Sequence, residues 1–352
     1  MDLRKLRKEI DRVDKKILNL LNRRAKEVIK VSSVKKKDNL DVYSAEREAG
    51  ILNGLKKLNS GPLSCEDIDI IFSEILSVCR SLRAALKIAY LGPQGTFTHM
   101  AAAKKFGKKQ QYVSSESISD VFDKVSRGEV DYGVVPIENS IEGVVNYTLD
   151  MFFDSDLQIC AEVTLNISHC LLGKRKENIK RIYSNPQVFA QCRAWIGRHY
   201  NKAQLIPALS TARAALLAKK DNNGACIGNK ILASLYGLNV FASSIEDAMH
   251  NYTRFLVISR NDSLPSDNDK TSLLFSIKDK VGALHDVLSC VKKHGINLTK
   301  IESRPSKRKA WEYYFFVDCQ GHKSSPVFKK ALRELERSCI FVKVLGSYPK
   351  EI

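Results

Sequence analysis

Residues 251–255 place a hydroxyl beside a guanidinium at the start of an apolar strand. The segment reads NYTRF, follows the acidic pair Glu246-Asp247 and leads into LVI at 256–258. A threonine hydroxyl does not ionise near neutral pH, but Thr253 can donate a hydrogen bond to a departing hydroxide. The neighbouring Arg254 can pair with a carboxylate through its planar fork. The pair therefore predicts a site where a carboxylic acid loses water, and a solvent-facing strand start is the alternative.

A glycine-rich turn, GPQGTFT at residues 92–98, offers a place for an anion. It lies between an apolar strand, Lys87–Leu91, and a helix predicted over His99–Phe106. Backbone N–H groups at such a helix N-terminus bind anions. The turn lacks the GK[ST] of a P-loop and the GxGxxG of a dinucleotide-binding turn, which argues against a nucleotide. A turn without a ligand is the alternative.

Two further segments present polar side chains where a strand ends. The apolar strand 130–137 leads into Glu138-Asn139-Ser140, and a carboxylate, an amide and a hydroxyl together can bind a hydroxylated acid. A capped helix start is the alternative. A second turn begins at Ser184 and opens a helix that carries Gln191. Because short strands alternate with helices throughout this region, it is predicted to form two α/β lobes with a cleft between them.

The composition argues against several classes of protein. At 352 residues with 44% hydrophobic content, the chain is long enough for two or three domains. It opens on charged residues without an apolar signal region, and no apolar run approaches about 18 residues, so no membrane span is expected. The nine cysteines, scattered without a CxxC pair, indicate reduced thiols in the cytoplasm. The seven histidines show no HExxH spacing, so no metal site is expected.

The net charge of +18 predicts an anionic partner. The basic residues are spread along the chain, and no RNA- or DNA-binding motif accompanies them, so small polyanionic substrates are favoured. A nucleic-acid binder is the alternative, for which salt-sensitive binding to DNA would be the test.

The first 86 residues are predicted to be helical. Over residues 3–37, apolar side chains recur at spacings of three and four, the period of a helix seam. Arg24 stands in this stripe, and Lys35 lies eleven residues further on the same face. Cations on a packed face need an anion, which either a ligand or a carboxylate of a neighbouring helix supplies. Two more helices are predicted over 44–58 and 64–86, each with a serine as N-cap.

This order of one long, one short and one medium helix resembles the small helical chorismate mutase module. The resemblance implies a site, shared across an intertwined dimer, that holds chorismate in a compact conformer. Such a Claisen rearrangement needs a held dicarboxylate and donors to the ether oxygen, and no acid, base or nucleophile. The implied chorismate-binding residues are Arg7, Arg24, Lys35, Arg47, Glu48 and Arg83. Arg83 stands where the family has Gln or Glu, and Ser44 where it often has Asp, so an inactive mutase module is an alternative.

Residues 87–260 contain the motifs GPQGTFT, VVPIENSIEG, SNPQVFAQC and NYTRF in an order that resembles prephenate dehydratase. The resemblance implies that prephenate loses carbon dioxide and water to give phenylpyruvate, driven by aromatisation and without a cofactor. Thr253 is then the main catalytic residue, and Phe255 completes its motif. The implied catalytic and cleft residues are Thr253, Arg254, Glu138, Asn139, Ser140, Ser184 and Gln191. Asn185 replaces the histidine that the family usually has beside Ser184.

The last region follows a polar linker at 259–270 and is predicted to have the order βαββαβ of a ferredoxin-like module. Its segments VGAL and ESRP resemble the ACT domain of dehydratases, which binds phenylalanine at a dimer interface. The implied effector residues are Gly282, Ala283, Leu284, Glu302, Ser303, Arg304 and Pro305. A glycine at a helix N-terminus lets a ligand carboxylate approach the backbone closely. A dimerisation domain without a ligand is the alternative.

Together these observations predict a multidomain fold. It comprises an all-α three-helix mutase module at 1–86, an α/β two-lobed, periplasmic-binding-like dehydratase domain at 87–260 and an α+β ferredoxin-like ACT domain at 271–349. The resemblances imply a cytoplasmic bifunctional enzyme of phenylalanine biosynthesis that is a homodimer or higher oligomer, is inhibited by L-phenylalanine and needs no cofactor, metal, nucleic acid or membrane. The alternatives are a monofunctional dehydratase whose helical module is a dimer scaffold, and a sensor that binds prephenate-like acids without turnover.

Overall fold

The computed structural model describes residues 2–37, 43–82, 85–305 and 313–351, and of residues 32–37 the backbone only. The chain divides into two compact units. One comprises Met1–Leu86 and Phe106–Gln111, and the other comprises Lys87–Lys105 and Tyr112–Ile352. In the described ranges, no helix combines the length and the apolar character that a membrane span requires.

Three helices build the first unit: α1 (Leu3–Lys37), α2 (Ala45–Leu58) and α3 (Cys65–Ser81). Both predicted serine N-caps are present, since Ser44 accepts from a backbone N–H of α2 and Ser64 forms a reciprocal capping box with Asp67. Helix α3 ends before residue 86, where the sequence placed its end. Leu86 is instead held in a non-helical loop by Gln110, whose side-chain oxygen accepts its backbone N–H at 2.8 Å.

The apolar stripe of α1 is exposed over residues 3–20. Six of its residues there have between 42% and 63% of their surface accessible: Leu3, Leu6, Ile10, Val13, Ile17 and Leu20. Helices α2 and α3 therefore leave this seam uncovered, although its spacing is that of a packed helix.

The remaining elements alternate between strands and helices. In chain order they are β1 (Lys87–Leu91), α4 (Phe97–Phe106), β2 (Gln111–Ser115), α5 (Ile118–Ser126), β3 (Tyr132–Asn139), β4 (Gly143–Val144), α6 (Asn146–Asp154), β5 (Gln158–Asn166), β6 (Cys170–Gly173), β7 (Arg181–Ser184), α7 (Pro186–Gln191), α8 (Arg193–His199), β8 (Gln204–Pro207), α9 (Thr211–Lys220), β9 (Gly224–Gly228), α10 (Ile231–Tyr236), β10 (Asn239–Ser243), β11 (Tyr252–Ser259), β12 (Asp269–Ser276), α11 (Ala283–Lys293), β13 (Leu298–Pro305), β14 (Tyr313–Gln320), α12 (Pro326–Ser338) and β15 (Phe341–Pro349).

Two of the three sheets form the lobes on either side of a cleft. The first has the strand order β2-β1-β3-β11-β5 with β4 added to β3, and the second has the order β10-β6-β9-β7-β8. Strand β11 returns late in the chain to the middle of the first sheet, antiparallel to both β3 and β5. This return brings the NYTRF segment beside the end of β3, more than a hundred residues earlier in the sequence.

The third sheet has the order β13-β14-β12-β15, and its central strand β12 is buried on both faces. Side chains alternate across a strand, so successive residues of β12 point to opposite faces. Leu273 and Phe275 pack with the residues of α11 and α12, whereas Leu274 joins the core of the first lobe. Tyr348 of β15 is fully buried in that same core. The C-terminal module is therefore packed against the first lobe through an apolar interface.

Candidate active site

A cavity of roughly 920 Å³ lies between the two lobes. Its size falls within the range of small-molecule sites, about 300 to 1,000 Å³. It is lined by the turn after β1, the ends of β3 and β11, the turn before α7 and the start of α9. Four segments that the sequence marked separately thus meet at one place, together with Thr253, Asn139 and Gln191 from the predicted residues.

The Thr253 hydroxyl is held by the side-chain amide of Asn139. The two residues are paired across β11 and β3, and Asn139 Nδ2 donates to Thr253 Oγ1 at 2.8 Å. The same nitrogen donates to Oδ1 of the buried Asn251 at 2.7 Å, which fixes the amide orientation. Because Thr253 Oγ1 already accepts a hydrogen bond, its own proton is free to be donated to a molecule in the cavity.

The two predicted serines support the backbone around the cavity and do not line it. Ser140 Oγ donates to the carbonyl of His250 at 3.0 Å and accepts from the N–H of Tyr252 at 2.9 Å. Ser184 Oγ is buried and donates to the carbonyl of Ile227 at 2.7 Å. Both hydroxyls therefore hold the strands that carry the cavity residues.

Arg254 and Glu138 lie on the opposite face of the sheet from Thr253 and Asn139. Each is next in sequence to a cavity residue, and alternation along a strand turns neighbours to opposite faces. Arg254 Nε lies 2.5 Å from Glu138 Oε1, as an ion pair without the alignment of a hydrogen bond. Its Nη1 lies 2.7 Å from Asp318 and 3.1 Å from Glu162. Burial opposes the charge, but these carboxylates outweigh burial and raise the pKa of the Arg254 guanidinium.

This position does not fit the predicted role of Arg254 as a clamp for a substrate carboxylate. Its side chain is only 10% exposed and already faces three carboxylates. Among the described residues that line the cavity, none is a lysine or an arginine. The anion donors there are instead the N-termini of α4 and α9, where Thr96, Ser210 and Thr211 line the wall.

Gln191 connects the two lobes across the cavity. Its Nε2 donates to Glu142 at 3.2 Å, and its Oε1 accepts from Asn251 at 3.3 Å. His169 Nε2 also lies 2.9 Å from this oxygen, an arrangement that assigns the ring proton to Nε2. Asn185 lines the cavity as well, and its side chain bridges Gln187 N–H and the Leu209 carbonyl.

His169 is a cavity residue that the sequence analysis missed. It is 1% exposed, and its Nδ1 has no hydrogen-bond partner among the described residues. Burial lowers the pKa of the imidazole, so the ring is neutral at pH 7. Its only signal in the sequence was its place directly before the buried strand Cys170–Gly173, which does not separate it from other loop residues.

Arg24 is the predicted mutase residue with a buried, unsatisfied donor among the described residues. Arg24 Nη1 is buried and has no hydrogen-bond partner within the described residues. Glu48 forms an ion pair with the buried Arg80 at 3.0 Å, and the Arg80 guanidinium lies over the ring of Tyr43. Arg80 was not among the predicted site residues, because it lies on α3 without a motif.

Of the other four predicted mutase residues, the structure describes the side chains of two. The Arg7 and Arg47 side chains are exposed. The Lys35 side chain and the whole of Arg83 lie outside the described residues, so the structure does not address their predicted roles.

The predicted effector residues lie at two points of the C-terminal module. Gly282 has a left-handed backbone, φ 79°, and precedes Ala283 at the start of α11, where Leu284 follows. Residues 302–305 end β13, the edge strand of the sheet. Of these, Arg304 points to the first lobe, where its Nη2 lies 3.2 Å from Asp150 Oδ1 of α6.

A group of three potential metal ligands lies between α11 and α12. The ligand atoms of Cys290, His294 and Glu334 are within 4.8 Å of one another. Glu334 already pairs with Lys293 and His294, each at 3.0 Å. Burial raises the pKa of the Cys290 thiol, which disfavours the thiolate that a metal needs. The group is therefore accounted for as an ion-pair cluster.

Three family models match the chain in succession. Chorismate mutase type II matches residues 6–84, prephenate dehydratase matches residues 88–263, and the ACT domain matches residues 271–337.

Curated relatives and solved structures agree with this order. The chain is 47% identical over 357 residues to the bifunctional chorismate mutase/prephenate dehydratase of Aquifex aeolicus, with 100% of this chain and 99% of the relative covered. It is 43% identical over 358 residues to the protein of the same description from Stutzerimonas stutzeri, with 99% and 98% covered. The crystal structure of prephenate dehydratase from Arthrobacter aurescens in complex with L-Phe superposes with a TM-score of 0.70 at 33% identity, covering 75% of this chain and 90% of that one.

Proposed function

The chain belongs to the bifunctional chorismate mutase/prephenate dehydratase family and has both activities, and we propose that Thr253, held by Asn139, is the group that assists loss of the prephenate hydroxyl. The hydrogen bond from Asn139 to Thr253 Oγ1, at the wall of the cavity, is the observation that carries this proposal. It leaves the threonine proton as the donor to the leaving group.

The overall reaction consumes one proton. The ring C–O bond breaks as the C–C bond to the ring carboxylate breaks, and the electron pair released with carbon dioxide completes the aromatic ring. The hydroxide accepts the hydrogen bond of Thr253 and leaves as water, with its proton supplied ultimately by solvent. Because aromatisation drives the step, the site needs to orient the dianion and stabilise the departing hydroxide.

The substrate carboxylates are proposed to bind at helix N-termini. The starts of α4 and α9 lie on opposite lobes and offer backbone N–H groups, together with the hydroxyls of Ser210 and Thr211 at α9. The predicted side chains that do not line the cavity then act indirectly, by holding the residues and strands that do. These are Glu138, Ser140, Ser184 and Arg254. Gln191, which bonds to both lobes, keeps the cleft closed around the dianion.

The rearrangement of chorismate is assigned to the helical unit. The buried, unpartnered Nη1 of Arg24 supports a carboxylate there, since an uncompensated buried cation is costly. The same site is proposed to include Glu48, Arg47, Lys35 and Arg83. Arg7 is proposed to serve the site of a second subunit.

A second copy of the chain is the proposed cover for the stripe of α1. Six exposed apolar residues along one helix face are the seam of an intertwined dimer.

L-Phenylalanine is the proposed effector of the C-terminal module, supported by the ACT match and by the ligand in the Arthrobacter structure. The strand orders support a periplasmic-binding-like class for the two lobes and a ferredoxin-like class for the C-terminal module. A cytoplasmic location is proposed with them.

The proposed role of the Thr253 hydroxyl is tested with Thr253→Ala. Loss of the donor to the departing hydroxide should lower kcat for prephenate about 10²- to 10³-fold, the usual effect of removing one donor to developing charge. Formation of phenylpyruvate from prephenate is followed, and consumption of chorismate is measured in the same preparation.

The matched control is Thr253→Ser, which keeps the hydroxyl and should retain most of the rate. Chorismate consumption should be unchanged in both variants. Near-parental turnover of prephenate by Thr253→Ala would contradict the role of the hydroxyl.

A further inference from the structure

Six charged side chains form a network behind the strand pair that carries Thr253 and Asn139, and all but Glu138 are at most 11% exposed. Three come from the first lobe and three from the C-terminal module. The members are Arg254, Glu138 and Glu162 on one side and Lys270, Lys300 and Asp318 on the other. Three cations face three carboxylates, so the network is neutral as a whole. Each module supplies charges that the other needs.

Three contacts of this network join the first lobe to the C-terminal module. Arg254 of the first lobe reaches Asp318 of β14 at 2.7 Å, and Lys270 of β12 reaches Glu162 of β5 at 2.7 Å. Asp318 also accepts from the hydroxyl of Ser272 at 2.6 Å. The side chains of Asp318 and Glu162 are at most 3% exposed, so these two carboxylates depend on the cations Arg254 and Lys270 for compensation.

Lys300 joins the network at Glu138, the residue next to Asn139 of the Asn139–Thr253 pair. Its Nζ forms an ion pair with Glu138, which also pairs with Arg254. Glu138 immediately precedes Asn139, whose amide holds the Thr253 hydroxyl. A shift of Lys300 therefore acts on the backbone that carries the Asn139 amide.

Lys300 lies on the strand that ends in the proposed effector motif. Along β13 the side chains alternate, so Lys300, Glu302 and Arg304 are half-buried and the residues between them are exposed. Arg304 of the motif pairs with Asp150, and Lys300 pairs with Glu138, both on the first lobe. One edge strand thus carries the effector motif and two ionic contacts to the dehydratase lobe.

We propose that Lys300 is a positioning residue for the dehydratase reaction: through its ion pair with Glu138 it links the effector strand β13 to the Asn139–Thr253 pair. The proposal rests on the proposed effector role of L-phenylalanine. Binding of the effector changes the position of β13, and Lys300 passes this change to Glu138 and so to the catalytic hydroxyl.

The test replaces Lys300 by methionine in the full-length protein. Methionine keeps most of the aliphatic stem and removes the charge, and Glu138 retains Arg254 as a partner. The phenylalanine concentration for half inhibition of prephenate turnover should rise at least about tenfold, within the usual range of coupling between sites. The dissociation constant of phenylalanine, measured by calorimetry, should stay within about threefold of the parent.

Two further variants separate coupling from stability. Lys300→Arg keeps the ion pair and should restore inhibition. Lys293→Met removes a lysine from an exposed ion pair with Glu334 in the same module and should be inhibited like the parent. Hydrogen exchange of the segment 132–144 should respond to phenylalanine in the parent and in Lys300→Arg, and should not respond in Lys300→Met.

Inhibition of Lys300→Met at the parental phenylalanine concentration would overturn the proposal. So would equal loss of inhibition in Lys300→Met and Lys293→Met, because that result would reflect a general weakening of the module. Absence of phenylalanine binding to the parent protein would overturn the effector role as well, and calorimetry distinguishes this outcome from a loss of coupling alone.

Discussion

The chemistry at single residues depends on which face of a strand each one occupies. Thr253 and Arg254 are adjacent in sequence, yet one lines the cavity and the other faces Asp318 in the C-terminal module. The same division separates Asn139 from Glu138 on the paired strand. A motif of consecutive residues in a strand therefore serves two functions, one on each face of the sheet.

The buried His169 predicts a pH effect on stability. Burial lowers the pKa of its imidazole in the folded protein, from about 6.5 in the unfolded chain. Below that pH the unfolded chain binds a proton that the folded protein does not, so stability falls as pH decreases. Between pH 7.5 and 5.5 the thermal midpoint of the parent should fall more than that of His169→Gln.

The control for this experiment is His285→Gln, at an exposed position on α11. It removes one histidine without changing the cavity. If both variants showed the same pH dependence of the midpoint, His169 would not be the group responsible.

The sequence predicts helix α1 clearly, yet the apolar seam of this helix is exposed. Its seam has helical spacing over its whole length, but α2 and α3 do not cover it. Burying an apolar side chain contributes about 1.5 to 3 kcal/mol, so six exposed ones favour association strongly. The proposed second subunit would stabilise this helix by covering its seam.

A charge in this seam should separate the two activities. Ile17→Glu places a carboxylate in the middle of the proposed dimer interface and should shift the protein toward a monomer in sedimentation experiments. Turnover of chorismate should fall at least about tenfold, because the proposed mutase site needs Arg7 of a second subunit, a loss of about 1.4 kcal/mol or more.

Asn19→Glu is the matched control. It adds the same charge two residues later, which is about 200° further around the helix and on its polar side. It should leave both the mass and the mutase rate as in the parent. A dimeric, fully active Ile17→Glu protein would contradict the assignment of the seam.

The C-terminal module is part of the second unit and not an appendage to it. Its sheet shares a core with the first lobe through Leu274, Phe316 and Tyr348, and the charge network lies beside that core. The two sheets approach each other closely at Gly346 of β15, where an added Cβ would overlap the backbone of Ile159 in β5. This glycine, at φ 151°, allows the two sheets to meet.

Gly346→Ala should therefore destabilise the second unit. The alanine methyl has no space against a backbone and adopts an unfavourable φ, so a loss of about 3 kcal/mol or more in unfolding free energy is expected. Urea unfolding of the full-length protein measures it.

Gly295→Ala is the control within the same module. Gly295 also has a positive φ, 65°, but no atom lies within 4 Å of the position of a Cβ. It should lose only about 1 kcal/mol. Equal losses in the two variants would show that backbone strain, and not contact with Ile159, limits Gly346.

Local signals in the sequence were enough to identify most of the elements and the family. The N-caps at Ser44 and Ser64, the period of α1 and the four dehydratase motifs are short-range features, written in neighbouring residues. Thr253, Asn139 and Gln191 were found this way and meet in the cavity. Family, activities and the main catalytic candidate follow from such patterns.

The roles of Arg254, His169 and Lys300 could not be found in the same way. Arg254 looks like a carboxylate clamp until β11 returns between β3 and β5 and turns it toward Asp318. His169 has no motif, and its burial depends on residues from both lobes. Lys300 meets Glu138 across 162 positions of sequence. The packing of strands that are distant in sequence decides which carboxylate a cation pairs with. No local sequence pattern predicts that pairing.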